Sequence, residues 1–203
     1  MSLTLADLTK PEGLRQVVDA TGGTRSFYNQ PSKAFGLAEV AHSAIMRNPR
    51  LAQVRIRLMP NLPNAFYNYD KGEILLGITN PAVLAHEIEH ADNIQQRSLY
   101  SSMLRVAESI SRLNNVAALP TMLALRTFLD DPERRDDILK TLAGLSAAAA
   151  APGLAEEASA TLRALKHHPG KRSEMMKTLG PAYAAHMARS MAPTLIYSAG
   201  RSS

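Results

Sequence analysis

The chain has no cysteine among its 203 residues. Disulfides, thiolate metal ligands and cysteine nucleophiles are therefore excluded. Any zinc site in this protein must be built from histidine, aspartate or glutamate. The six histidines of the sequence are then the main candidates for metal ligands.

Long apolar segments and targeting signals are also missing. No stretch reaches the roughly 18 uninterrupted apolar residues needed to span a bilayer. The most apolar candidate, residues 116–129, is interrupted by Pro120 and Arg126. Residues 1–8 have neither the basic start nor the long apolar segment of a secretory signal. We therefore expect a soluble, cytoplasmic protein without stable membrane insertion.

Basic residues only slightly outnumber acidic residues. Lysine and arginine number 23 and aspartate and glutamate 18, which gives a net charge of +5. The basic residues form no run, so they favour a solvated surface over a nucleic-acid interface. The length and the 45% hydrophobic content predict a single globular domain, residues 1–203.

The sequence HEIEH at His86–His90 has the H-E-x-x-H spacing. On an α-helix, residues i and i+4 lie on the same face, so His86 and His90 can bind one metal ion. Glu87 then lies beside the metal, where its carboxylate can act as a general base towards water. The pattern predicts a zinc site with a catalytic glutamate.

The flanking residues favour a helix through this motif. Asn80 is a good N-cap and Pro81 suits the first helical position. Leu84, Ile88 and Ala91 form an apolar stripe that faces a core, and the two histidines lie off that stripe. The alternative interpretation is a polar helix face whose histidines and glutamates bind no metal.

A short antiparallel β ribbon is predicted before this helix. Residues 53–59 alternate apolar and basic side chains, which is the period of a half-buried strand. Residues 66–69 and 73–76 flank a turn and form a hairpin-like pair. The ribbon therefore leads directly into the histidine helix.

The segment 64–68 is the candidate outer strand of this ribbon. An extended peptide can add to such a strand through backbone hydrogen bonds, while side-chain pockets give specificity. We therefore expect Asn64 and Phe66 to contact a peptide or protein substrate. The other interpretation is a strand that simply packs under the helix.

The remainder of the chain is predicted to be largely helical, so the fold class is α+β and mostly α-helical. Helical patterns occur at residues 35–48, in 99–129 with a break at Pro120, from Pro132 (capped by Asp131) to an end at Pro152-Gly153, at 154–168, and within 171–198.

A catalytic zinc needs a third protein ligand and an open position. No histidine follows at the metzincin spacing, because Asn93 and Gln96 stand where glycine and histidine are required. The residues themselves leave three candidates open, Glu108, Glu156 and Glu157.

Two segments together resemble the gluzincin clan of neutral zinc metallopeptidases. The first is Val83–Ala91, which contains HEIEH, and the second is Glu157–Leu165, with the pattern E-x-x-A-T-x-R-A-L. Within that clan, the two segments look most like the integral-membrane zinc proteases, including the CAAX prenyl proteases and their bacterial heat-shock homologues. In those families a later helix supplies the third ligand.

The resemblance implies a zincin-like fold and a zinc-dependent endopeptidase. Carried over residue by residue, it implies His86, His90 and Glu157 as zinc ligands and Glu87 as the general base. The small β ribbon is then expected beside the metal-binding helix.

Three features differ from the relatives. Glu89 replaces the small residue that often precedes the second histidine, Thr161 stands where aspartate or serine is typical, and the sequence leads us to expect no membrane-spanning segment. A side chain such as Glu89 in the fourth zinc position would close the site. The alternative function is therefore a non-catalytic structural or interaction protein that keeps the zincin scaffold and its zinc.

Four further residues are candidates for supporting roles. Asp92 or Asn93 can orient a zinc-binding imidazole by a hydrogen bond to the ring nitrogen that does not bind the metal. Tyr183 and His186, on a late helix, can stabilise an oxyanion. The competing interpretation of this second pair is a core-edge aromatic and a surface histidine.

Overall fold

The computed structural model describes residues 2–96, 102, 104, 106, 109, 120–128, 130–192, 194 and 197. Its contacts cluster in two compact units, Met1–Ser98 with Ser159–Gly180, and Leu99–Ala158 with Pro181–Ser203. Two long helices run along the chain from one unit into the other. The single domain expected from the sequence stays a prediction.

The first unit contains a small sheet and three helices before residue 98. The strands are β1 (Ser2–Thr4), β2 (Arg55–Leu58), β3 (Ala65–Asn68) and β4 (Glu73–Leu76), and the helices are α1 (Pro11–Thr21), α2 (Phe35–Arg47) and α3 (Pro81–Gln96). The α+β, mostly helical class expected from the sequence is confirmed.

The sheet is larger than the predicted ribbon. Its order is β1-β2-β4-β3, and β2 pairs with β4 in parallel while the other two pairs are antiparallel. The hairpin of β3 and β4 was predicted correctly, but a purely antiparallel ribbon was wrong. β1 has only three residues, too few for a period-2 pattern to stand out, and the parallel pairing depends on contacts distant in the chain.

One face of the sheet forms the core of this unit. Ile56, Ile74, Leu76 and Tyr67 point to this face and are buried, whereas Phe66 on the neighbouring position of β3 is exposed. The alternation follows from the two-residue period of a strand. The buried face packs against α3 through residues such as Leu84 and Ile88.

The start of α3 matches the sequence prediction. The Asn80 side-chain oxygen accepts hydrogen bonds from the backbone N–H groups of Ala82 (3.0 Å) and Val83 (3.3 Å). Pro81 occupies the first helical position, where its missing N–H costs nothing. The Asn80 amide also donates to the Tyr28 carbonyl at 2.6 Å, which ties the helix start to the preceding loop.

Residues 120–128 are helical, and most of the rest of the predicted helical stretch 99–129 lies outside the described residues. Two long helices follow, α4 (Pro132–His167) and α5 (Arg172–Ser190). The predicted cap is confirmed, since the Asp131 carboxylate accepts from the backbone N–H groups of Glu133 and Arg134 at 3.1 Å. The predicted stop at Pro152-Gly153 was wrong, because α4 continues through both. Pro152 is exposed and follows five alanines, the residue type with the highest helix propensity, while downstream Ala164 is anchored in the core.

Helix α4 is long and apolar enough to cross a membrane by length and composition alone. An 18-residue window has a mean hydropathy of 1.4, and 22% of that window is buried. One such helix is weak evidence, because core helices of soluble proteins show the same composition. The cytoplasmic location therefore stays a prediction.

The cap of α3 can be tested by comparing Asn80→Ala with Asn80→Ser. Both variants lose the amide bond to the Tyr28 carbonyl, but only serine retains an oxygen that can cap the helix. We expect Asn80→Ala to be less stable than Asn80→Ser by about 1 kcal/mol in urea unfolding. Equal stability of the two variants would contradict the capping role.

Candidate metal centre

The two motif histidines face each other on α3. Nε2 of His86 lies 3.1 Å from Nε2 of His90, and the rings are nearly perpendicular with centroids 4.6 Å apart. This is the convergence that the i, i+4 spacing predicts. Both residues are buried, so the two nitrogens meet in a site largely closed to bulk water.

Hydroxyl groups hold the other nitrogen of each ring. Nδ1 of His86 lies 3.3 Å from Oγ1 of Thr161, and Nδ1 of His90 lies 3.1 Å from the Tyr69 hydroxyl. A neutral imidazole has one N–H and one lone pair. When both Nδ1 atoms donate to these hydroxyl oxygens, both Nε2 lone pairs point at the same place, which is the arrangement a bound cation requires.

Glu157 on α4 completes a group of three ligands. One ligand atom each from His86, His90 and Glu157 all lie within 4.8 Å of one another. Among the described residues this group can hold a metal ion. Of the two other sequence candidates, Glu156 is buried and does not belong to the group, and Glu108 lies outside the described residues.

Glu87 connects the metal site to the sheet. Its Oε2 accepts a hydrogen bond of 2.6 Å from the backbone N–H of Tyr67 on β3. The backbone carbonyl of Asn64, just before β3, accepts a hydrogen bond from the N–H of Gly77, just after β4. In an antiparallel pair, the backbone N–H and C=O groups of alternate residues face the partner strand. Those of Asn64 and Phe66 therefore face β4, and the N–H of Tyr67 points away from it. The carboxylate therefore binds the outer edge of the strand.

β3 lies at one end of the sheet order, as expected for an outer strand. Asn64, just before it, and Phe66 within it are exposed, and 45% of the Phe66 surface is accessible. Ala65 and Tyr67 are buried at 2% and 6%. The predicted contact of Asn64 and Phe66 with a substrate stays a prediction, and the burial of the alternate residues restricts access to the backbone edge.

Glu89 lies in a buried ion cluster and is not part of the metal group. Its Oε1 accepts from Arg47 (2.7 Å) and His167 (2.9 Å), and its Oε2 accepts from Arg163 (2.9 Å). Only 1% of the carboxylate side chain is exposed. Burial lowers the pKa of the neighbouring His168, and the positive charge of Arg47 lowers it further.

Asp92 and Asn93 belong to the same cluster. Asp92 accepts from the Asn48 amide at 2.7 Å and from the Arg163 guanidinium, which also donates to the Asn93 oxygen at 2.5 Å. Orientation of an imidazole by Asp92 or Asn93 stays a prediction. The hydroxyls of Thr161 and Tyr69 provide contacts of this kind.

Tyr183 and His186 lie on α5 beyond residue 180, in the second unit, and both are half-buried. Their proposed oxyanion role stays a prediction.

Sequence reasoning assigned no supporting role to four side chains that the structure places around this site, namely Tyr69, Thr161, Arg47 and Arg163. A signal existed for Thr161, because it lies four residues after Glu157 and so on the same face of α4. His167, the last residue of α4, also binds Glu89.

Comparison with protein-family models, with curated proteins and with solved structures found no match to this chain.

The third ligand can be tested with three isosteric changes, Glu157→Gln, Glu156→Gln and Glu108→Gln. An amide is a poor zinc ligand, so we expect about one zinc per chain in wild type, Glu156→Gln and Glu108→Gln, and much less in Glu157→Gln. Elemental analysis after zinc reconstitution and desalting measures this. Loss of zinc in Glu108→Gln alone would show that Glu108, and not Glu157, is the third ligand.

The two hydroxyl contacts can be tested by Thr161→Val and Tyr69→Phe. Removing a partner that orients a ligand typically costs about 10–100-fold in metal affinity, so each variant should bind zinc that much more weakly in a chelator competition assay. Thr178→Val is the control, because its hydroxyl donates to a carbonyl of its own helix, that of Glu174 in α5. Wild-type affinity in both test variants would refute the orienting role.

Proposed function

We propose that this protein is a zinc-dependent endopeptidase with a zincin-like active site of the gluzincin type. The observation that carries the proposal is the meeting of His86, His90 and Glu157 in one group. Glu87, next to the first of these ligands, binds the outer strand of the sheet. A metal site, a candidate base and a candidate substrate strand are thus joined by direct contacts.

Zinc is the metal that best fits the donor set. Two imidazoles and a carboxylate form the ligand set of many catalytic zinc sites, which keep a fourth position open. Two nitrogens bound to zinc at 2.0–2.1 Å in tetrahedral geometry are about 3.3 Å apart, and the two Nε2 atoms here are 3.1 Å apart. The ligands therefore need little rearrangement to take up the ion.

The chemistry follows from the positions of the chain's own side chains. His86, His90 and Glu157 would hold the zinc, which would supply Lewis acidity for activating water and polarising the scissile carbonyl. Glu87 accepts the proton of the attacking water and then delivers it to the leaving amine. The Tyr67 N–H holds one oxygen of this carboxylate at 2.6 Å, which limits its rotation and keeps it at the junction of α3 and β3.

The proposed substrate is an extended peptide or protein segment that lies along β3. Asn64 and Phe66 are exposed on or just before this strand, so their side chains can contact substrate residues. Ala65 and Tyr67 are buried, so full pairing along the backbone edge requires the neighbouring chain to move aside. Tyr183 and His186 are retained as candidates for stabilising the oxyanion.

The alternative function is a non-catalytic protein that uses the zinc only for structure. Such a role needs a fourth protein ligand, and Glu89 was the candidate. Its two oxygens instead bind Arg47, His167 and Arg163. These contacts favour a site with an open position, and therefore the enzyme over the scaffold.

Glu87→Gln tests the proposed base. Glutamine has nearly the same shape and keeps an oxygen that accepts from the Tyr67 N–H, but it does not take up a proton. We expect peptide cleavage to fall by about 10²–10⁴-fold while zinc content stays at the wild-type level. Cleavage is measured by mass spectrometry on a mixture of unstructured peptides that covers all residue types.

A chelator-treated wild type is the matched control for this experiment. It should lose cleavage and regain it when zinc is returned. Unchanged cleavage by Glu87→Gln would contradict the role of the glutamate. A wild type that binds zinc but cleaves no peptide in the mixture would contradict the peptidase and support the structural alternative.

A further inference from the structure

The buried ion cluster beside the metal centre links two helices that both carry metal ligands. Arg163 of α4 donates from Nε to Glu89, from Nη1 to Asn93 and from Nη2 to Asp92. These three acceptors lie within four residues of one another on α3. A single guanidinium thus binds acceptors spread over a little more than one turn of α3, the helix that carries both histidines.

The contacts of α4 with α3 continue on both sides of Arg163. Thr161 contacts His86, and His167 contacts Glu89. Residues 161, 163 and 167 therefore fix the rotation of α4 as well as its position along α3. Glu157 lies one helical turn before Thr161 on the same helix, so its position follows from theirs.

The tolerance for a change in this position is small. Each residue of an α-helix adds 1.5 Å of rise and about 100° of rotation. Zinc accepts carboxylate oxygens at about 2.0–2.2 Å. A slip of α4 by one residue therefore carries Glu157 out of bonding distance, although the helix itself and its hydrophobic contacts can persist.

We propose that Arg163 is a positioning residue that sets the register of α4 on α3 and thereby brings Glu157 to the two histidines. The inference rests on the proposed metal site and names a further residue on which that site depends. Arg163 donates hydrogen bonds to Glu89, Asp92 and Asn93, and it acts through these residues.

Arginine suits this task because its planar guanidinium donates in several fixed directions. Lysine carries the same charge but is a point donor on a flexible stem, so it does not hold three acceptors in one geometry. Arg163→Lys therefore preserves the charge that compensates the buried carboxylates while removing the geometric restraint.

The chain offers a matched control in Arg47. This residue also donates to the buried Glu89, at 2.7 Å, but it comes from α2 and not from α4. Arg47→Lys perturbs the same carboxylate without changing the register of α4. If Arg163 only stabilises the buried charge, the two substitutions should have similar effects on zinc affinity. If Arg163 positions α4, only its substitution should weaken zinc binding.

The experiment measures the zinc affinity of the folded protein by competition with a chromophoric chelator, at a temperature where circular dichroism shows each variant fully folded. We expect Arg163→Lys to bind zinc about 10–100-fold more weakly than wild type and Arg47→Lys to bind it within about threefold. Arg163→Gln, a second variant with fewer donors, should weaken binding at least as much as Arg163→Lys.

A double-mutant cycle with Glu157→Gln provides the decisive comparison. With the third ligand removed, the contact of Thr161 with His86 is all that remains for Arg163 to position. We therefore expect Arg163→Lys to cause a smaller loss of zinc affinity in the Glu157→Gln protein than in the wild type. An equal loss in both backgrounds would overturn the proposal and leave Arg163 with a purely structural role.

Failure of this inference and failure of the proposed function give different results. If the wild type does not bind zinc, the metal site itself is absent, and both the proposed function and the positioning role of Arg163 are overturned. If wild type binds zinc, Glu157→Gln weakens binding and Arg163→Lys binds normally, only the positioning role is overturned.

Discussion

The contact between α3 and α4 is the interaction on which the candidate site depends. α3 supplies His86 and His90 close together in sequence, so any helix through this segment makes them converge. Glu157 arrives from a segment 67 residues later, and only tertiary packing can bring it to them. Without that contact the protein has two adjacent imidazoles on a helix, which is a weak metal site.

Polar groups maintain this contact in a largely buried place. The side chains of Glu89 and Asp92 are exposed by only 1% and 2%, and each accepts from Arg163. Buried ion pairs add little net stability relative to a well-packed apolar contact, but breaking one leaves a charge without compensation. Such a cluster is therefore better suited to specifying one arrangement of two helices than to strengthening their association. A metal site, which requires ligand positions defined to a few tenths of an ångström, benefits from that specificity.

Much of the local structure could be predicted from sequence because its causes are local. The Asn80 cap, the Pro81 start, the apolar stripe through Leu84 and Ile88, and the convergence of the histidines all follow from helix geometry. The parallel pairing of β2 with β4 and the contacts of Tyr69 and Thr161 with the imidazoles join residues far apart in the chain. No short window of sequence contains that information. Pro152 failed as a stop signal because a local rule was overridden by the helical tendency on both sides of it.

The most direct measurement is anomalous diffraction at the zinc absorption edge from crystals grown with zinc. We expect one strong peak, from an ion bonded at about 2.0–2.2 Å to Nε2 of His86, Nε2 of His90 and a carboxylate oxygen of Glu157. The fourth position should be free of protein ligands, so that a water molecule can bind there, and Glu87 should lie beside the ion without binding it. A peak at other residues, a fourth bond from Glu89, or no peak at saturating zinc would contradict the account.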